Sequence, residues 1–248
     1  METLVAIAFV LAFARLFGFM QMLPLWGDLD IPTGIKLTLC AGITPFLVIG
    51  NIPPIDIDVS AGLLAILIMK EVAIGLFMGF LVSLPLRLPE MIGDMIDNQR
   101  GAAVTDQFNP TTGGQSSILG QLLTWVTVTY FFVEGGFQTI IGLIGGSFAI
   151  QPVTTFTFEF GDNIWDVAYV IINNYMRLFA IMCLPVVVAM GMAEIALGIS
   201  TRFAQSFNVF YLSQSVKSVV AIGMLLAVHP KIIHAINQFF YQTVDTFS

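Results

Sequence analysis

Apolar runs fill most of the chain and break at a few polar stretches. They cover 4–26, 35–50, 61–84, 118–133, 137–150, 167–191 and 209–228. A helix that crosses a bilayer needs about 20 apolar residues. By that measure 4–26, 61–84, 167–191 and 209–228 each predict a span. The run 35–50 is short and holds Pro45. The runs 118–133 and 137–150 are parted only by Glu134, Gly135 and Gly136, which predicts either one bent helix or a tight hairpin. The pattern therefore predicts an all-α, polytopic membrane protein of about six hydrophobic helices in one domain, 1–248. Runs such as "AGLLAILIM" and "LPVVVAMGM" do not alternate, as the strands of a membrane β-barrel would. The run 4–26 opens with Glu2 and contains Arg15, and no small-residue cleavage site follows it. It is read as a retained span and not as a signal peptide.

One stretch departs from this pattern. In 86–103, Arg87, Glu90, Asp94, Asp97 and Arg100 recur every three or four residues, opposite Leu88, Met91, Ile92, Met95, Ile96 and Ala103. That spacing predicts an amphipathic helix, with Pro89 in its first turn. It would lie on the membrane surface or turn its polar face to water inside an assembly. A polar loop follows over 104–117, "VTDQFNPTTGGQSS". Pro110 and the pair Gly113-Gly114 punctuate it, and Ser116 or Ser117 is placed to cap the next helix. The loop is long for a plain connection between packed helices.

Composition narrows the function. The chain is 57% hydrophobic and 10% charged, against roughly 25% charge in a soluble domain. Its net charge of −7 argues against a nucleic-acid partner. Cys40 and Cys183 sit singly in apolar runs and are read as small core residues. His229 and His234 lack a neighbouring cysteine or carboxylate and are read as surface residues, so neither a metal nor a cofactor is expected. No HExxH, GxSxG, CxxC or phosphate-loop motif is present, and the chain is not read as an enzyme. The loops 27–34 and 51–60 are both acidic, so they give no orientation.

Charges inside apolar segments are costly and draw the eye. Here they are Arg15, Lys70, Glu71, Glu134, Arg177, Glu194 and Lys217. Ion pairs between helices or between subunits are preferred for them over a proton relay. Lys70 and Glu71 leave a helix about 100° apart and are expected to find different partners. Gly75 with Gly79, and Gly142 with Gly146, carry the four-residue spacing that lets membrane helices approach closely.

Two blocks resemble a known family. "GDMIDNQRGAAVTDQFNPTTGGQSS" with "ILGQLL", and "AEIALGISTRFAQSFNVFYLSQSVKSVV", are similar to the FliR/SctT family of type III secretion export-apparatus membrane proteins. The first carries Gly93, Asp97, Gln99, Arg100 and Gly101, and its "DNQRG" looks like the injectisome (SctT-like) branch more than the flagellar one. The second carries Leu197-Gly198, Arg202, Asn208-Val209-Phe210 and Lys217-Ser218, with Ser215 where the family often has a proline.

The resemblance implies a structural, gating subunit in the bacterial inner membrane. It implies SctR-, SctS-, SctU- and SctV-like partners, inner-rod and needle proteins, and unfolded protein substrates, besides the lipid bilayer. It also implies that the polar loop is a plug, with Phe108 as stopper and Asn109, Pro110, Gly113 and Gly114 shaping it. A stand-alone transporter or ion channel is the competing reading, because transporters place charges beside broken helices.

Overall fold

The computed structural model describes residues 2–24, 32–51, 61–101, 117–153, 155, 164–200 and 209–246, nearly all of them helical. Seven helices follow in order: α1 Glu2–Met22, α2 Thr33–Asn51, α3 Ala61–Arg100, α4 Ile118–Val133, α5 Gly136–Ile150, α6 Ile164–Ser200 and α7 Val209–Asp245. Among the described residues four helices are long and apolar enough to cross a membrane, or up to five spans if the bent pair α4–α5 counts as one. They are α1, α3, α6 and α7, the same four regions the apolar runs predict. The chain is an all-α, polytopic membrane protein.

Two boundaries differ from the sequence pattern. The amphipathic stretch is not a separate helix; it forms the last part of the 40-residue α3, which runs through Pro85 and Pro89. Each proline removes one main-chain donor from the ladder. The Ser83 hydroxyl donates to the Phe80 carbonyl at 2.7 Å just ahead of the first. Helix α7 likewise runs unbroken through Ser215. Helices α4 and α5 are separate, bent by 70° at their break, so the described residues form seven helices. Gly135 makes that break, at φ +77°, a left-handed conformation that glycine adopts without a Cβ clash. Its carbonyl accepts from Gln138 and Thr139 N–H groups at 3.0 and 3.2 Å, so one residue both ends α4 and starts α5.

Tight packing divides the chain into two units. Unit 1 comprises Met1–Leu86, Tyr130–Ile172 and Phe239–Ser248. Here α2 packs on α1 and α5. The core gathers Leu16, Phe19, Ile74, Phe131, Phe148 and Phe240, with Phe131 and Phe240 edge-to-face at 5.1 Å. Helices α1 and α3 meet at small residues. A Cβ added to Gly75 would strike the Arg15 carbonyl, one on Gly79 the Phe19 carbonyl, and one on Gly18 the Val72 carbonyl. The Gly75/Gly79 spacing thus marks a real close approach. A Cβ on Gly142 or Gly146 would meet nothing within 4 Å, so that pair lies on open surface among the described residues.

Unit 2 comprises Arg87–Thr129 and Asn173–Gln238. Leu88, Ile92 and Ile96 bury one side of the end of α3, and Cys183, Val186, Met190, Ala221 and Leu225 are buried along α6 and α7. The Tyr175 hydroxyl donates to the Met91 sulfur.

Candidate functional site

The site begins where α3 ends. Asp97 is buried on the last turns of α3 and accepts three hydrogen bonds. One oxygen accepts from Arg100 Nε at 2.8 Å. The other accepts from the Ser117 hydroxyl at 2.8 Å and from the Leu119 N–H at 3.0 Å. Ser117 is the N-cap of α4, its Oγ accepting from the Gly120 N–H at 2.8 Å. A carboxylate at a helix N-terminus also meets the positive end of the helix dipole. Asp97 and Ser117 together take two of the free donors of α4, and Asp97 ties the end of α3 to them.

The backbone geometry needs the glycines that flank it. A Cβ on Gly93 would overlap the Gly120 backbone, so α3 and α4 touch main chain to main chain. Gly101 ends α3 at φ +85°, with the Gln214 amide 3.0 Å from where its Cβ would stand. Gly101 and Ser117 are thus held on either side of residues 102–116. Those include Phe108, Asn109, Pro110, Gly113 and Gly114, which lie outside the described residues, as do Arg202 and Asn208. Phe210 is helical in α7. Gln99 is half-buried beside Arg100. The charged face of the amphipathic stretch points inward more than its periodicity suggests. Asp97 is buried and Glu90 and Asp94 are half-buried, while Met91 and Met95 are exposed.

Unit 1 holds a second polar cluster. Arg15, fully buried on α1, donates from Nε to Glu71 at 2.6 Å, from Nη1 to the Ser147 hydroxyl at 2.9 Å and from Nη2 to the Gln151 carbonyl at 2.7 Å. Its guanidinium also lies 4.2 Å over the Phe148 ring. Lys70 Nζ donates to the Pro152 and Thr155 carbonyls at 3.2 and 2.8 Å and reaches Glu71 Oε1 at 2.9 Å. Lys70 and Glu71 do find different partners, the carbonyls and Arg15, and they also pair with each other. Their Cα–Cβ bonds do diverge, but the long lysine stem bends back to the carboxylate. Two cations against one carboxylate leave an excess of positive charge. The carbonyls that follow α5, and the negative end of its dipole, accept it. The cluster ties α1, α3 and the C-terminal end of α5 together. Ser147 and Gln151 carry no sequence signal for this role.

The remaining charges divide. Lys217 and Glu194 form an ion pair at 3.4 Å, with Glu194 half in solvent. Glu134 sits exposed at the α4–α5 break, its carbonyl accepting from the Tyr241 hydroxyl at 3.2 Å. Arg177 is exposed on α6 and has no hydrogen-bond or ion-pair partner among the described residues.

A family model described as "Bacterial export proteins, family 1" matches residues 6–243. The chain is 34% identical over 205 residues to Yop proteins translocation protein T of Yersinia pestis, covering 83% of this chain and 77% of that one. It is 28% identical to the flagellar biosynthetic protein FliR of Bacillus subtilis, covering 96% and 92% of the two chains. It is 30% identical to the surface presentation of antigens protein SpaR of Shigella sonnei, covering 70% and 66%.

Proposed function

The chain belongs to the bacterial export proteins, family 1, in its FliR/SctT family and nearer the injectisome branch, and on that premise we propose that it is a structural and gating subunit of a type III secretion export gate. It is a multi-pass protein of the bacterial inner membrane. In this reading it assembles with SctR-, SctS-, SctU- and SctV-like membrane proteins and shapes the channel through which unfolded substrates reach the inner-rod and needle proteins.

The observation that carries the gating role is the Asp97 clamp. A polar, glycine-containing segment, 102–116, leaves and returns at two points that one buried carboxylate holds together. A segment tethered at both ends in this way can occupy a wet lumen. Its few charges keep the desolvation cost of a narrow passage low. The single large aromatic, Phe108, is the natural stopper.

The transporter reading loses its main support. The buried charges Arg15, Lys70 and Glu71 are already satisfied by one another and by backbone carbonyls.

The test is to delete Asn109 to Gln115 in cells that express the partner subunits. Complex yield should hold, and small dyes should enter cells that normally exclude them. A tight membrane at normal complex yield would reduce the segment to a connector.

A further inference from the structure

The three bonds of Asp97 reach Arg100, Ser117 and Leu119. None of them reaches Gly101, the residue at which the chain leaves α3. The Gly101 N–H donates to the Asn98 carbonyl at 3.1 Å, which holds the residue to its own helix. Its φ of +85° is one of many conformations open to glycine. A glycine in that place gives the departing chain one direction only if something outside α3 presses on it.

Helix α7 presses on it. Gln214 is half-buried near the start of α7. Its Nε2, Cδ and Cγ atoms stand 3.0, 3.6 and 3.6 Å from the point a Cβ of Gly101 would take. The end of the side chain, not a single atom, lies across the glycine. Gln214 is itself held in place. Ser213 and Lys217 beside it are buried, and Lys217 pairs with Glu194 of α6 at 3.4 Å. The Ser218 hydroxyl donates to the Gln214 carbonyl at 2.8 Å. A continuous set of contacts therefore runs from α6 through α7 to Gly101, and on through Asp97 to Ser117 at the start of α4. All of it lies within unit 2.

We propose that Gln214 is a positioning residue of the gate: its side chain braces the left-handed turn at Gly101, so that α7, as well as Asp97, sets the direction in which the chain leaves α3. The inference rests on the gate reading for its consequence in export, and it adds a residue that the Asp97 clamp does not include. The brace acts by bulk, because three atoms of the side chain crowd the same point. A shift of α7 withdraws that bulk and lets the glycine take other conformations. The ends of α6 and α7 thereby bear on a turn that belongs to α3.

The experiment measures the time-averaged current of the purified whole complex in a planar bilayer, at equal protein incorporation. Gln214→Ala removes the brace and suits a helix, so complex yield should hold while the current rises about tenfold or more over the unaltered complex. Gln214→Met keeps the length and bulk and should stay within about twofold of the unaltered complex. A second measurement reads the contact itself, by thermal unfolding of the isolated chain in detergent. Gly101→Ala meets both an unfavourable φ and the Gln214 side chain. It should therefore lower the midpoint by roughly 2–4 °C less in a Gln214→Ala chain than in the unaltered one. Equal losses in the two backgrounds would show that the residues do not bear on each other and would overturn the inference. So would a Gln214→Met complex that conducts as much as Gln214→Ala. A silent Gln214→Ala complex, beside a conducting complex that lacks Asn109 to Gln115, would overturn the brace and leave the gate reading standing. A deletion complex that is also silent would remove both.

Discussion

Replacing Asp97 with alanine removes a buried group that bonds the end of α3 to the start of α4, on either side of segment 102–116. Three hydrogen bonds are lost, from Arg100, Ser117 and Leu119. Arg100 is left mostly buried without its counter-charge, its side chain 17% exposed. Stripping one member from a buried charge pair typically costs about 3–5 kcal/mol, and loss of a cap alone about 1 kcal/mol. The partial exposure of Arg100 argues for the lower end, about 3 kcal/mol. For a chain of this size each kcal/mol moves the midpoint by roughly 2–4 °C, so thermal unfolding in detergent should fall by on the order of 10 °C. A double-mutant cycle isolates the pair. Asp97→Ala combined with Arg100→Ala should cost about 1–3 kcal/mol less than the sum of the single changes. Ser117→Ala should fall between wild type and Asp97→Ala, since Leu119 N–H and Arg100 still reach the carboxylate. An Asp97→Ala chain that unfolds within 2 °C of wild type, or a cycle that shows additivity, would refute the clamp.

Three further outcomes follow from the packing and one from the proposed gate. Gly75→Leu should destabilise the isolated chain strongly, by at least the ~1–3 kcal/mol typical of overpacking, because its side chain meets the Arg15 carbonyl; Gly142→Ala should be neutral or gain up to ~1 kcal/mol of helix propensity, as unfolding in detergent will report. Glu71→Ala should cost about 3–5 kcal/mol, since Arg15 and Lys70 would remain buried with carbonyls alone, and Arg15→Ala in the same chain should recover part of the loss. Lys217→Ala should cost no more than about 1 kcal/mol, its partner Glu194 being half in solvent. Phe108→Ala should admit dye into cells expressing the complex, though less than deletion of Asn109 to Gln115.

Much of this architecture was legible in the apolar runs, because lipid forces long, self-satisfied helices and these leave long apolar tracts. The four long spans and the break at Glu134-Gly135 could be read directly. The Gly75/Gly79 spacing marked a close approach, whereas the same spacing at Gly142/Gly146 did not. The end of α3 was harder. The change from apolar to charged composition at Arg87, with Pro89 beside it, reads as a new helix. A helix already nucleated tolerates the loss of two scattered donors, and the ladder simply continues. The meeting of Lys70 with Glu71 was hidden because backbone direction bounds where a Cβ points, not where an ammonium on a four-carbon stem ends. The link from Asp97 to Ser117 and Leu119 crosses a loop, and no local pattern records which carboxylate will cap which helix. Ser117 as the cap of α4 was readable; its bond to Asp97 was not. Arg177 gave a signal as a lone charge in an apolar run, and it stands exposed on α6.

Ion conductance of the purified complex in a planar bilayer tests the central claim most directly. If segment 102–116, held at its ends by Asp97, closes the export path, the complex with the unaltered chain should be electrically silent. Deletion of Asn109 to Gln115 should open it to a steady current at equal protein incorporation, and Asp97→Ala should give brief, intermittent openings. A deleted complex as silent as the intact one would contradict the account, leaving the segment a connector and the clamp a purely structural joint.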